Sequence, residues 1–103
     1  MMKLTSINPS NYKPLGEVEI SSNAEITEKV ALAHKALQSW REIGLQKRIE
    51  FLKKAFAEFE SRKEELALLQ TREMGMTINE TLDDVDGSIK YANWYMDNAE
   101  KYS

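Results

Sequence analysis

The clearest pattern in the chain is a run of apolar residues near its end. Ile78, Leu82, Val85, Ile89, Ala92, Met96 and Ala99 recur in alternating steps of four and three. That spacing puts all seven on one face of a long helix, as an a/d seam does. Three shorter stretches upstream keep helical spacing. Ile26, Val30, Ala33 and Leu37 predict a first helix ending near Trp40. Leu45, Ile49, Leu52, Phe56 and Phe59 predict a second over Leu45 to Glu60, after the break at Gly44. Leu66 and Leu69 mark a third, from about Arg62 to the C-cap glycine Gly75. Before residue 22 the rhythm changes. Glu17-Val18-Glu19-Ile20 alternates with period two, Leu4–Ile7 suits a short strand, and Asn8-Pro9-Ser10-Asn11 between them reads as a turn. The expected fold is mainly α, about four helices behind a short N-terminal β-hairpin, with residues 1–21 as the strand pair and 22–103 as the helical segment.

Start signals sharpen the helix boundaries. Ser22…Glu25, Ser61…Glu64 and Thr77…Glu80 each place a hydroxyl three residues before a carboxylate, the spacing of a capping box. Gly87, inside the fourth helix, lowers its stability by about 1 kcal/mol relative to alanine.

Composition narrows the function classes. The chain has 103 residues and a net charge of −3. Leu, Ile, Val and Phe stand just above the roughly 20% level below which disorder becomes the better reading, so a thin-cored single domain is expected. The acidic balance argues against a nucleic-acid partner, which a basic face would serve. No apolar run suits a signal peptide or a membrane span, so a soluble, cytoplasmic protein without a membrane partner is expected. The chain has no cysteine, which removes disulfides, thiolate metal ligands and a thiol nucleophile together. Residues 41–65 lean basic and residues 77–103 lean acidic, a pattern that solvated helix faces produce.

Candidate chemistry is sparse. His34 lacks a partner at ligand spacing and reads as a surface residue rather than a base or metal ligand. Asp83-Asp84-Val85-Asp86-Gly87 looks like part of a calcium loop, but aligning Gly87 with the loop glycine puts Leu82 and Asn93 where carboxylates are needed. Acids near a helix N-terminus account for it better. Glu64-Glu65 suits a solvated face. Gly16, Gly44, Gly75 and Gly87 are too scattered for a dinucleotide or phosphate loop. Tyr91, Trp94 and Tyr95 flank the fourth-helix seam and suit packing on a neighbouring helix or another chain. No catalytic, cofactor-binding or metal site emerges.

Read in order, the segments resemble the N-terminal region of the aldehyde dehydrogenase superfamily. The resemblance is carried by Ile7-Asn8-Pro9 and the Gly16–Ile20 strand. It continues through the capped, alanine-rich helix from Ser22 to Trp40, Arg48-Ile49…Leu52…Ala55, and Glu64-Glu65-Leu66-Ala67…Leu69 with Glu73-Met74-Gly75. Glu80…Val85, Tyr91-Ala92 and Trp94-Tyr95 complete it. Tyr12 stands where the family commonly has a turn glycine, Met76-Thr77 replaces a usual Lys-Pro, and Met74 leans toward the succinate-semialdehyde type. The resemblance implies a fragment of an α/β NAD(P)-dependent enzyme, an oxidoreductase that turns aldehydes into carboxylic acids. It also implies that the cysteine nucleophile, the water-activating glutamate, the oxyanion-holding asparagine and the cofactor loop lie downstream of the matching region. The segment is therefore expected to bind no NAD or NADP and to be inactive alone. Its expected partner is the rest of a dehydrogenase, or a second copy forming an oligomer, met through Ile78, Leu82, Val85, Ile89, Tyr91, Ala92, Trp94, Tyr95 and Met96. The alternative is a stand-alone helical self-association module derived from that family.

Overall fold

A computed structural model describes residues 2–102. Strands β1 (Lys3–Ile7) and β2 (Pro14–Glu19) are followed by helices α1 (Asn23–Glu42), α2 (Leu45–Ser61), α3 (Lys63–Met74) and α4 (Ile78–Tyr102). All four expected helices and the hairpin are present.

The hairpin forms because its loop satisfies its own backbone. Asn8 N–H donates to the Lys13 carbonyl at 2.9 Å and Tyr12 N–H to the Asn8 carbonyl at 2.7 Å. The Asn8 and Asn11 side chains accept from Ser10 N–H (2.8 Å) and Lys13 N–H (3.0 Å), as asparagines do in turns. Leu4 then pairs with Val18 in an antiparallel register that slips between Ser6 and Ile7. Tyr12 takes the left-handed conformation at φ 61°, which glycine adopts without strain. The side chain costs about 1–2 kcal/mol of backbone strain there, yet the hairpin still closes.

Two of the three expected capping boxes are built. Glu25 N–H donates to Ser22 Oγ and Ser22 N–H to Glu25 Oε2 at 2.6 Å; Glu80 N–H and Thr77 Oγ1 pair likewise, with Thr77 N–H returning to Glu80 Oε2 at 3.1 Å. Ser61 is different. It is the last residue of α2, and its Oγ donates backward to the Glu58 carbonyl at 2.9 Å. Arg62 serves both as the C-cap of α2 and as the N-cap of α3, with no side-chain cap bond. Because α2 runs on to Ser61, its hydroxyl lies within a helical turn and not ahead of one. The two helices are one rod bent at Arg62.

That bent rod runs antiparallel along α4, the longest helix at 25 residues. Cross-links between them follow in reverse order. Gln46 meets Glu100 (3.1 Å), Lys53 meets Asp97 (2.8 Å), Lys63 meets Asp86 (2.9 Å) and Gln70 meets Asp84 (2.7 Å). The core lies in this seam: Ala67, Ile89 and Met96 are buried, and Thr81 is fully enclosed nearer the start of α4. Thr81 Oγ1 satisfies its burial through Thr71 Oγ1 at 2.8 Å and the Ile78 carbonyl at 3.1 Å. Thr71 and Thr81 were not legible as a pair, since ten residues separate them and neither breaks a pattern.

The hairpin docks at the far end of α3. Ser6 Oγ donates to Glu73 Oε1 at 2.8 Å, and the Pro9 ring stands against Gly75, the left-handed C-cap at φ 75°. Helix α1, by contrast, packs extensively on nothing, and none of its residues is buried.

Candidate interaction faces

Among the described residues no group of three or more His, Cys, Asp or Glu could hold a metal, and the exposed apolar faces are the candidate site. The accessible surface is 8556 Å², whereas a folded monomer of 11.9 kDa exposes about 5,900 Å². The excess is roughly 2,600 Å², well beyond the ~800 Å² per partner of an ordinary stable interface. The Cα radius of gyration, 17.7 Å, likewise exceeds the ~13 Å of a compact domain of this length.

Large apolar side chains are exposed in every element, and two faces gather several of them. One is α1, whose Ile26, Val30 and Leu37 are each about half exposed on one stripe. Trp40, at the end of the stripe, is partly covered by Phe51, with ring centroids 6.0 Å apart. The other is the outer side of α4. Tyr91, Trp94 and Tyr95 are all exposed there, and Trp94 meets Tyr95 edge-on at 5.4 Å and stacks on Tyr102 at 6.1 Å. Trp94 therefore packs on rings of its own helix, while Tyr91 stands 71% exposed.

This corrects the expected partner face. Ile89 and Met96 are buried, and Leu82, Val85 and Ala92 half-buried, because the bent rod of α2 and α3 covers the seam. Of the nine residues expected to meet a partner, Ile78, Tyr91, Trp94 and Tyr95 remain exposed. The free apolar stripe is on α1, and the signal for it was present: its face has the same spacing as that of α4. Spacing shows that a face is apolar but not which faces find each other.

The remaining candidates fall into place on the helices. His34 lies exposed on α1. Asp83, Asp84 and Asp86 lie within continuous helix, not in a loop. Glu65 Oε1 accepts from Arg62 Nη2 at 2.7 Å. The acids of α4 are also not simply solvated, as Lys53, Lys63 and Gln70 engage them across the seam. Gly16, Gly44, Gly75 and Gly87 sit in β2, the α1–α2 turn, the α3 cap and α4 respectively. Among the described residues, no helix is long and apolar enough to cross a membrane.

Electrostatics tie the seam to pH. Hydrogen bonds from Lys63 and then Lys90 hold the Asp86 carboxyl below its ordinary range, and the bond to Asp86 pushes the Lys63 ammonium up. The Ser22 backbone and hydroxyl lower Glu25, and Arg62 lowers Glu65. A carboxyl depressed by folding contributes stability above its unfolded pKa and loses it as pH falls through the folded value. The urea midpoint should therefore fall from neutrality into the acid range, and Asp86→Asn should flatten that fall. An unchanged acid slope in the variant would show that the Lys63–Asp86–Lys90 cluster does not contribute to it.

The aldehyde dehydrogenase family model matches residues 2–103. A protein of Synechocystis sp. named as a probable succinate-semialdehyde dehydrogenase (NADP+) is 32% identical over 98% of this chain and 22% of its own length. The succinate semialdehyde dehydrogenase (NAD(P)+) Sad of Escherichia coli K12 is also 32% identical, over 87% of this chain and 20% of its own length. The mitochondrial succinate-semialdehyde dehydrogenase of Oryza sativa subsp. japonica is 30% identical over 91% of this chain and 18% of its own length. The chain belongs to the aldehyde dehydrogenase family and spans about a fifth of the length of the curated relatives it matches.

Proposed function

We propose that the chain is the N-terminal structural segment of a cytoplasmic NAD(P)-dependent dehydrogenase that oxidises a semialdehyde to a carboxylic acid, and that by itself it is catalytically inactive. The observation that carries this is the excess of roughly 2,600 Å² of exposed surface over a self-sufficient monomer of this mass. Surface on that scale is characteristic of extensive, permanent interfaces. The names of the relatives supply the substrate class and the coenzyme. The absence of cysteine removes the family's nucleophile, and the separated glycines argue against cofactor binding by this segment.

In this reading the hairpin of residues 1–21 and the helices of 22–103 are scaffold. Their role is to present the α1 stripe and the α4 aromatics, with Ile78, to the cofactor-binding core. Two measurements test it. The purified chain, incubated with succinate semialdehyde and either coenzyme, should give no reduced nicotinamide. The Synechocystis relative, with its matching segment replaced by this chain, should fold and oxidise the aldehyde. Coenzyme reduction that tracks the purified chain, or a folded but inactive chimera, would sink the proposal.

A further inference from the structure

We infer that helix α1 is a separate, low-stability unit of the isolated chain. It opens while the hairpin dock and the α2–α3–α4 seam stay closed, and it is where an endopeptidase first cuts. The inference does not depend on the dehydrogenase reading.

Among the described residues, little outside α1 holds it in helical form. Every residue from Asn23 to Glu42 is exposed, and the apolar stripe of Ile26, Val30 and Leu37 is about half exposed. The side-chain hydrogen bonds of the helix close within it or its own cap. Ser22 pairs with Glu25, Thr27 donates to the Asn23 carbonyl, Gln38 to Glu42 and Ser39 to the Ala36 carbonyl. Ties to the rest of the chain come only in the last turn. There Arg48 Nη1 donates to the Arg41 carbonyl at 3.2 Å, and Trp40 meets Phe51. Nucleating a helix is costly, and most helical stability in proteins comes from packing an apolar face. Helix α1 packs none of its stripe. Helix α2 has no buried residue either, but its Ile49 and Phe56 are half-buried, and its Gln46 and Lys53 donate to Glu100 and Asp97 of α4.

Opening α1 need not disturb either end. Upstream, the hairpin is fastened by Ser6 Oγ on Glu73 Oε1 at 2.8 Å and by Pro9 against Gly75. Downstream, α2 lies in the seam. As a helix the 20 residues of α1 span about 30 Å, and the same residues extended reach up to about 70 Å. A melted α1 therefore slackens and pulls on neither dock. Lys29, Lys35 and Arg41 lie within it and offer three positions to trypsin. Proteases act on the opened form, so cleavage follows the local opening equilibrium. The exposed bases of α2, α3 and α4 become cleavable only when the seam itself unfolds.

Brief trypsin digestion of the full chain, followed by mass spectrometry, should cut after Lys29 and Lys35 before any position between 45 and 102. The lasting fragments should begin at Val30 or Ala36. Amides from Val30 to Leu37 should exchange within about tenfold of the unstructured-peptide rate, and those around Ile89 at least about a hundredfold more slowly. Ala33→Pro, which breaks a helix interior, should lower the helical circular dichroism and leave the urea midpoint of the remaining helices unchanged. Equal protection of α1 and α4, first cuts between 45 and 102, or a midpoint that falls with Ala33→Pro would each overturn the inference.

Discussion

Ile89→Ala should abolish the cooperative unfolding transition of this chain. Ile89 is 6% exposed and is one of three apolar residues buried in the seam, with Ala67 and Met96. Removing a buried isoleucine's methyl groups costs about 2–5 kcal/mol, through lost transfer energy and the cavity left behind. Domains of this size are stable by about 5–15 kcal/mol in total, and a core this small places the chain low in that range. Tyr91→Ala, two residues on and 71% exposed, is the control and should change stability by less than about 0.5 kcal/mol. Urea denaturation followed by circular dichroism decides it. Equal costs at the two positions would mean that α4 does not turn Ile89 toward α2 and α3.

Gly75→Ala should be the most damaging single-methyl insertion, and its damage should reach the hairpin. The residue has φ 75°, which a side chain raises in energy by about 1–2 kcal/mol. A Cβ at this position would also stand 3.1 Å from Pro9 Cγ, closer than ordinary van der Waals contact. The loop must move to admit it, loosening the Ser6–Glu73 bond that holds β1 to α3. Amide exchange in β1 and β2 should accelerate more than in α2 and α4. Gly44→Ala separates the two effects. Its φ is 85° but nothing lies within 4 Å of its Cβ position, so it should destabilise without selectively freeing the hairpin. Pro9→Ala should return part of the loss in the Gly75→Ala background and none in the Gly44→Ala background. If hairpin exchange is unaffected by Gly75→Ala, the Pro9 contact is not what docks the loop.

Local physics made most of the elements legible. Ser22 and Thr77 acted as caps because each precedes its helix, and Gly75 ended α3 in the left-handed conformation that glycine favours. Asn8 and Asn11 closed the turn with their own side chains, strongly enough to tolerate Tyr12 at positive φ. Ser61 shows the limit of the same reasoning. Its capping pattern is as good as the other two, but α2 had already claimed it, and a pattern of four residues cannot report where the preceding helix stops.

Exposure was half legible. Tyr91, Trp94 and Tyr95 are exposed. The seam beneath them was expected to need a partner and instead found one in α2 and α3. Charge carries a clue to this pairing: basic residues over 41–65 and acidic ones over 77–103 meet as Lys53–Asp97 and Lys63–Asp86.

The sequence by itself determined the elements, the caps at Ser22, Gly75 and Thr77, the hairpin turn, the lack of a thiol nucleophile and the family. These depend on residues a few positions apart or on the presence of a residue type. Only the tertiary structure decided that α4 is covered by the bent α2–α3 rod while α1 is left bare. Two helices with the same apolar spacing are equivalent until the chain's path brings one of them against a matching face. Here the two-residue connection at Ile43–Gly44 and the bend at Arg62 set that path.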